Sequence, residues 1–443
     1  MNEPGEKDQW SPVLLAVHVF TGLSFLLLAS LAAALRPSAL LSPSDPWTLA
    51  VTHLVTIGFV GTIAIGALHA IGPLALGIRW RASPLDWILL AALALAASGV
   101  ASHMALDTFA DVAWAGSPLL LVLALMAPRW FLGLCLGNAP AVVRFGIGLA
   151  LFDLCCAVAF GIALAMDRTM PLLPAGHQEA VFAHAHLAGG GFAATLVVSV
   201  GLRLLPMFLP AEPARGAIPW IAVLSTGLGG LSAGLPGAFL PRALPWSAAP
   251  IAFGLFLFAL LAARMVRLPK PPPRDLRRPD PSRFLQILAM AVCPATLAAG
   301  LALSLSDGPS PSLRILYGLS WLLGCLGTLI LGMQLRILPL ARWHQTRRRL
   351  PPGAIPPAPN RTWSFALAWA MATCWVLGLA LAALGSWRES PLCLRAGASL
   401  LASAAFAALA NAAIVWGRGR PRGTSQQGPC PNGRSTVSFD SPQ

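Results

Sequence analysis

The stretch THLVTIGFVGTIAIGALHAIGPL, residues 52–74, contains no Asp, Glu, Lys or Arg and is apolar almost throughout. A helix of roughly 20 residues, rising about 1.5 Å per residue, crosses the hydrocarbon core of a bilayer, which is about 30 Å thick. The stretch therefore predicts a transmembrane helix.

The same pattern returns twice along the chain. AHLAGGGFAATLVVSVGLRLLPM at residues 185–207 and GLSWLLGCLGTLILGMQLRILPL at residues 318–340 align with it, without a gap, at successive offsets of 133 residues. The invariant columns are Gly58, Gly191 and Gly324; Thr62, Thr195 and Thr328; and Pro73, Pro206 and Pro339. Glycine and proline are abundant in this chain, so single coincidences are expected. Three columns in one frame favour three repeats of four helices, at about 12–134, 143–266 and 284–416, parallel because each holds an even number of spans.

Composition sets the class of the protein. Of 443 residues, 56% are hydrophobic and 10% are charged, whereas ordinary globular chains carry about 25% charged residues. Twelve apolar segments lie at about 12–35, 48–76, 86–106, 116–134, 143–166, 180–208, 217–238, 247–266, 284–305, 313–340, 362–386 and 393–416. The sequence predicts an all-α polytopic membrane protein with one transmembrane domain at 12–416, a cytoplasmic N-terminus at 1–11 and a disordered cytoplasmic tail at 417–443.

Charge gives the orientation. A net charge of +14 would suggest nucleic acid in a soluble protein, but here the basic residues lie in loops. With the N-terminus inside, most of the 30 Lys and Arg residues fall on its side of the membrane, including the basic stretch 264–283. This predicts a multi-pass protein of the bacterial inner membrane with both termini in the cytoplasm, with lipid and not nucleic acid as its partner. The N-terminus is acidic, so the sequence predicts no cleavable signal peptide. The sequence contains no C-x-x-C pair, so it does not predict a disulfide or zinc framework.

Four histidines are the candidate cofactor ligands. Ionisable side chains inside a membrane are costly and are functional candidates by default. His53 lies in the first turns of segment 2, His184 and His186 in those of segment 6, and His103 at the end of segment 3, all towards the outer side. Neutral imidazole binds haem iron and copper well, which makes His53, His184 and His186 the candidate metal ligands. The alternative for each is a hydrogen bond between helices.

Spacing separates two of these ligands. His184 and His186 are two residues apart, so their side chains point about 200° apart on a helix and would serve sites on opposite sides of segment 6. Gly189, Gly190 and Gly191, one turn deeper, leave room for a flat ring or for another helix. In segment 5, Asp153 is the clearest acidic residue within a span. It is a candidate proton relay, with a hydrogen bond to a neighbouring helix as the alternative.

The local strings resemble those of a known family. H-L-x-T-x-G at 53–58, F-A-H-A-H-L at 182–187 and L-x-x-L-P-M-F at 202–208 are similar to strings in subunit I of the haem-copper oxidases, in small oxidase-like bacterial proteins, and in the nitric-oxide-response membrane protein family NnrS. In architecture the resemblance covers about residues 12–416. It implies a subunit I-like fold, haem and copper as cofactors, the helix-2 haem-ligand position at His53 and, by repeat equivalence, a ligand at His186 or His184.

The chain departs from the oxidase pattern where oxygen would be reduced. Segment 7, PWIAVLSTGLGGLSAGLPG, has no histidine pair, and segment 10 has Tyr317 and Leu319 in the columns of His184 and His186. Tyr317 is the only tyrosine, and Lys7 and Lys270 both lie outside the apolar segments. The resemblance therefore implies a degenerate active site that lacks the usual oxygen-reducing centre.

The preferred hypothesis is a haem-binding inner-membrane protein, with or without copper, related to cytochrome c oxidase subunit I. It would act in respiratory electron transfer, with a respiratory partner, or in nitric-oxide handling, and any catalysis would be that of an oxidoreductase. The alternative is a membrane transporter or metal-handling protein without redox activity. A third hypothesis is a degenerate oxidase relative that acts as an assembly or interaction partner.

Overall fold

The computed structural model describes residues 11–170, 172–173, 177–208, 211–239, 244–267, 279–306, 310–350, 358–359 and 362–418. These residues form helices and no strand, and twelve of the helices are long and apolar enough to cross a membrane. They are α1 (Pro12–Leu35), α2 (Pro46–Ala75), α3 (Pro84–Ala105), α4 (Phe109–Cys135), α5 (Ala141–Asp167), α6 (His177–His186, Leu187–Ala194 and Thr195–Phe208 in succession), α7 (Ala217–Phe239), α8 (Leu244–Arg267), α9 (Pro281–Leu305), α10 (Pro311–Arg347), α11 (Phe365–Trp387) and α12 (Pro391–Arg418). The prediction of an all-helical, multi-pass membrane protein is confirmed.

Two helices are longer than predicted. α4 begins at Phe109 and not near residue 116, because Phe109 is buried and the Arg168 guanidinium lies over its ring, 3.8 Å from the centroid. α10 continues past residue 340 to Arg347, and its last turn carries His344 and Arg347, where a helix C-terminus favours cations. The N-terminal residues 1–10 and the predicted tail beyond Arg418 lie outside the described residues.

Six of the described helix starts have a recognisable cap. A serine or aspartate side chain accepts a backbone N–H of the first turn, and in most cases a proline follows at the first helical position. The capping residues are Ser11, Asp45, Ser83, Asp280, Ser310 and Ser364. In these six cases a short polar side chain therefore marks the residue at which an apolar span begins.

Three of the spans contain a π-helical segment at the same place. Leu54–Gly61 in α2, Leu187–Ala194 in α6 and Ser320–Gly327 in α10 are each π-helical over eight residues, and their first residues are 133 positions apart. The threonine that follows each segment donates its hydroxyl hydrogen to the carbonyl oxygen five residues earlier: Thr62 to Ile57 (3.1 Å), Thr195 to Gly190 (3.4 Å) and Thr328 to Leu323 (2.9 Å). The aligned threonines thus make the same bond in all three helices.

Each π segment packs against the helix that precedes it: α1 on α2, α5 on α6 and α9 on α10. The aligned glycines make this contact close. A Cβ on Gly191 would lie 3.0 Å from Asp153 Cγ, and one on Gly324 would lie 3.0 Å from Val292 Cγ1. At Gly58 the corresponding neighbour is Phe25, whose Cβ would be 2.7 Å away. The glycine column therefore marks a close helix–helix approach in each case.

Candidate functional site

His184 lies in α6, facing α5. Its Nδ1 atom is buried and has no hydrogen-bond partner among the described residues. The ring stands edge-on to Phe160, with centroids 6.2 Å apart, and its Cε1 atom is 3.0 Å from where a Cβ on Gly161 would be. A Cβ at residue 161 would therefore press tightly against the imidazole. The polar contact of this ring is the backbone of Ala157.

His53, in α2, interacts electrostatically with His184. It lies at the end of the first α-helical part of α2, directly before the π segment. Its Nδ1 is 2.8 Å from the carbonyl oxygen of Leu49, so Nδ1 carries the hydrogen and Nε2 keeps its lone pair. A histidine that donates one ring N–H to a backbone carbonyl has the tautomer and orientation of a metal ligand.

His186 faces a different neighbour. Its Nδ1 is 2.8 Å from the carbonyl oxygen of Phe182, and its Nε2 accepts a hydrogen bond from the Tyr317 hydroxyl of α10 at 3.2 Å. The Phe182 ring lies 4.3 Å from the imidazole, and His186 is 9% exposed. Both ring nitrogens of His186 therefore have partners, which is the alternative weighed for these histidines from the sequence.

The structure divides the predicted ligands into two sites. His184 interacts electrostatically with His53, whereas His186 contacts Tyr317 on another side of α6. Among the described residues no group of three or more His, Cys, Asp or Glu could hold a metal ion. Because Nδ1 of His184 has no partner among the described residues, His184 together with His53 is the better candidate for a ligand site.

His103 stands apart, at the end of α3. Its Nδ1 is 2.9 Å from the Thr108 hydroxyl and 3.8 Å from Asp111 Oδ2, and about a third of the side chain is exposed. These partners lie in the turn to α4 and at the start of that helix. The structure therefore gives His103 a local capping contact and no contact with the other candidate ligands.

Asp153 lies fully buried where α5, α6 and α7 meet. Neither carboxyl oxygen has a hydrogen-bond partner among the described residues. The carboxyl group rests on Gly191 in the π segment of α6, and a Cβ on Gly230 of α7 would be 2.1 Å from Gly191 Cα. The helix-to-helix hydrogen bond weighed from the sequence is not present in the described residues. A buried acid without a partner is costly, which keeps Asp153 a candidate for proton handling.

A polar cluster between α2, α3 and α4 was not predicted from the sequence. Asp86 of α3 forms an ion pair with Arg129 of α4 and lies 3.5 Å from His69 Nε2 of α2. Trp130 donates its indole hydrogen to the same nitrogen of His69 at 3.2 Å. Asp86 and Arg129 could have been noticed as opposite charges at the facing ends of two consecutive spans, since consecutive spans are antiparallel.

A cavity of about 630 Å³ lies in the bundle. The π segments separate it from His53, His184 and His186. Helices α2, α6 and α10 line it with equivalent residues. The lining positions of α2 are 63, 64, 67, 68 and 71, and the positions 133 and 266 residues later line it as well. Its surface is almost entirely apolar, with Arg267, Arg283, Gln286 and Gln334 as the polar members.

No protein-family model matches the chain, and no curated protein is similar to it.

Proposed function

We propose that this protein is a haem-binding membrane protein in which His53 and His184 hold the iron, and that it acts in respiratory electron transfer or nitric-oxide handling. The observation that carries the proposal is the buried Nδ1 of His184, which has no hydrogen-bond partner among the described residues, on an imidazole that interacts electrostatically with His53. A buried nitrogen lone pair without a partner is rare, because leaving it unsatisfied costs about 1–3 kcal/mol. A ligated metal would satisfy it.

The residues present fit a haem. Two neutral imidazoles are its common axial ligands, and His53 is held in the tautomer that leaves Nε2 free. A bound haem would supply one-electron chemistry. The protein would set the potential through the two imidazoles and the apolar helices around them. Copper has no comparable support, since His186 already bonds Phe182 and Tyr317.

The relation to oxidase subunit I is part of the same proposal. Three four-helix repeats are supported by the three π segments at intervals of 133 residues, and by the cavity that equivalent residues of α2, α6 and α10 line. The distribution of Lys and Arg supports a location in the bacterial inner membrane with both termini in the cytoplasm.

The test is an optical spectrum of the full chain, oxidised and dithionite-reduced, purified in mild detergent from cells with ample haem. Iron and copper are measured on the same sample. We expect a Soret band and sharp reduced bands with about one iron per chain. His53→Ala and His184→Ala should each remove most of the low-spin signal, because each removes a residue that would hold the iron.

The matched control is His177→Ala, at the start of α6, where the ring contacts Arg168 and Asp167. This variant should keep the full spectrum. An unchanged spectrum in both His53→Ala and His184→Ala would refute the ligand assignment. A protein without iron or a Soret band would refute haem binding itself.

The cavity favours a second candidate, a transporter or metal-handling protein without redox activity. A pocket of about 630 Å³ falls within the range of about 300–1,000 Å³ that is usual for small-molecule sites. The spectrum separates the two candidates, because only the first requires stoichiometric iron.

A further inference from the structure

The cavity is continuous with the outside of the bundle between α8 and α9. Phe256 and Leu260 of α8 and Ile287 of α9 line it, and each of these side chains is about half exposed. In a protein that spans a membrane, exposed apolar side chains at this depth face lipid tails. An acyl chain can therefore pass from the bilayer into the cavity without crossing water.

Basic charge marks one end of the cavity. Arg267 ends α8 and Arg283 lies in the first turn of α9, and both line the cavity and are exposed. Within the described residues neither makes an ion pair. The nearest acid at the start of α9, Asp280, is already paired with Arg336. Two guanidinium groups therefore lie at the mouth without an anionic partner in the described part of the chain.

We propose that the cavity binds one anionic phospholipid, with an acyl chain between α2, α6 and α10 and with the phosphate held by Arg267 and Arg283. Arginine matches phosphate geometrically, since its planar group can donate two parallel hydrogen bonds to phosphate oxygens. Basic pockets between transmembrane helices bind anionic headgroups in this way. The proposal does not depend on haem, because its residues are separate from His53 and His184.

A neutral isoprenoid quinone is the competing occupant. Its ring would use polar groups within the cavity and not the charges at the mouth. Gln334 offers such a group: the side chain is 7% exposed, and its Oε1 atom is buried without a partner in the described residues. The two arginines favour the phospholipid, because a neutral headgroup gains little from them.

The experiment uses the full chain purified in mild detergent, with native mass spectrometry and mass analysis of the extracted lipid. We expect about one phosphatidylglycerol or cardiolipin molecule per chain. The double variant Arg267→Gln/Arg283→Gln should lose it by at least about tenfold. The control Arg79→Gln/Arg215→Gln removes two exposed arginines that do not line the cavity, and it should retain the lipid.

A second variant tests the cavity independently of charge. Ala67 lines it, and Ala67→Phe adds a ring into the space assigned to the acyl chain without removing an arginine. We expect this variant to lose the bound lipid and to keep its helical circular dichroism. Equal loss in the arginine control would overturn the proposal. So would retention of lipid in both cavity variants, or a quinone that is bound in place of lipid and released by Gln334→Leu.

Discussion

At the residue scale, two histidines that are two positions apart play different parts. Helical geometry predicted that His184 and His186 would serve opposite sides of one helix, and the structure gives them different neighbours, Phe160 and Tyr317. The sequence did not predict that the Tyr317 hydroxyl would bond His186. The register between α6 and α10 depends on packing, and no local pattern encodes it.

Tyr317→Phe tests this division. Removing the hydroxyl leaves the Nε2 of His186 without its donor, and we expect a loss of about 1 kcal/mol in the free energy of unfolding. The haem spectrum should not change, since His186 is not assigned as a ligand. Thermal unfolding in detergent and the reduced spectrum measure the two effects. A spectral shift in Tyr317→Phe with none in His184→Ala would move the ligand to His186.

Gly191 and Asp153 should be energetically coupled. Gly191→Ala places a methyl group 3.0 Å from Asp153 Cγ, and such overpacking costs about 1–3 kcal/mol. Because the carboxyl group is the obstacle, Asp153→Ala should relieve part of that cost in the double variant. A double-mutant cycle of unfolding free energies measures the coupling, with Gly148→Ala, whose Cβ would meet only Leu134 at 3.5 Å, as control. Strict additivity would contradict the contact.

At the element scale, the repeat was visible in the sequence and the π-helical backbone was not. The aligned glycines and threonines could be found because small and hydroxyl side chains are needed at those positions. A π segment differs from an α-helix only in which carbonyl each N–H reaches. Hydropathy is the same in both, so composition cannot separate them.

The three threonines allow an internal comparison. Thr62 makes one hydroxyl bond, to Ile57, whereas Thr328 donates to Leu323 and also accepts from the Trp375 indole at 2.7 Å. Thr328→Val therefore leaves a buried indole N–H without its acceptor. We expect it to lower the free energy of unfolding by about 1–3 kcal/mol, and Thr62→Val by about 1 kcal/mol. Equal melting temperatures for the two variants in detergent would contradict this ranking.

At the scale of the whole molecule, the number and order of spans could be predicted because a bilayer demands long apolar helices. The cavity and the cluster of His69, Asp86 and Arg129 could not. Both arise where distant spans meet, and they depend on how the twelve helices are arranged laterally. A single sequence gives the faces of helices but not their neighbours.

The orientation of the whole protein in the membrane can be predicted from its charges. The excess of Lys and Arg on one side should keep both termini in the cytoplasm. A fluorescent protein fused after residue 443 should therefore fluoresce, and alkaline phosphatase at the same place should be inactive. Phosphatase inserted at the turn between α3 and α4, near Asp107, should be active as the control. The reverse pattern would invert the topology and place His53 and His184 on the inner side.

The three π segments also have a consequence for how the protein can vary. Each residue of a π segment advances the backbone around the helix axis by a smaller angle than a residue of an α-helix does. Each segment therefore sets which way the residues of one half of its helix face relative to those of the other half. Replacing the π winding of Leu54–Gly61 by α-helical winding at unchanged length would rotate Ala67 out of the cavity, whereas deleting one residue at the same time would largely keep its azimuth relative to His53. In each of the three helices the π winding and the extra residue thus together keep the cavity-lining half in register with the outer half.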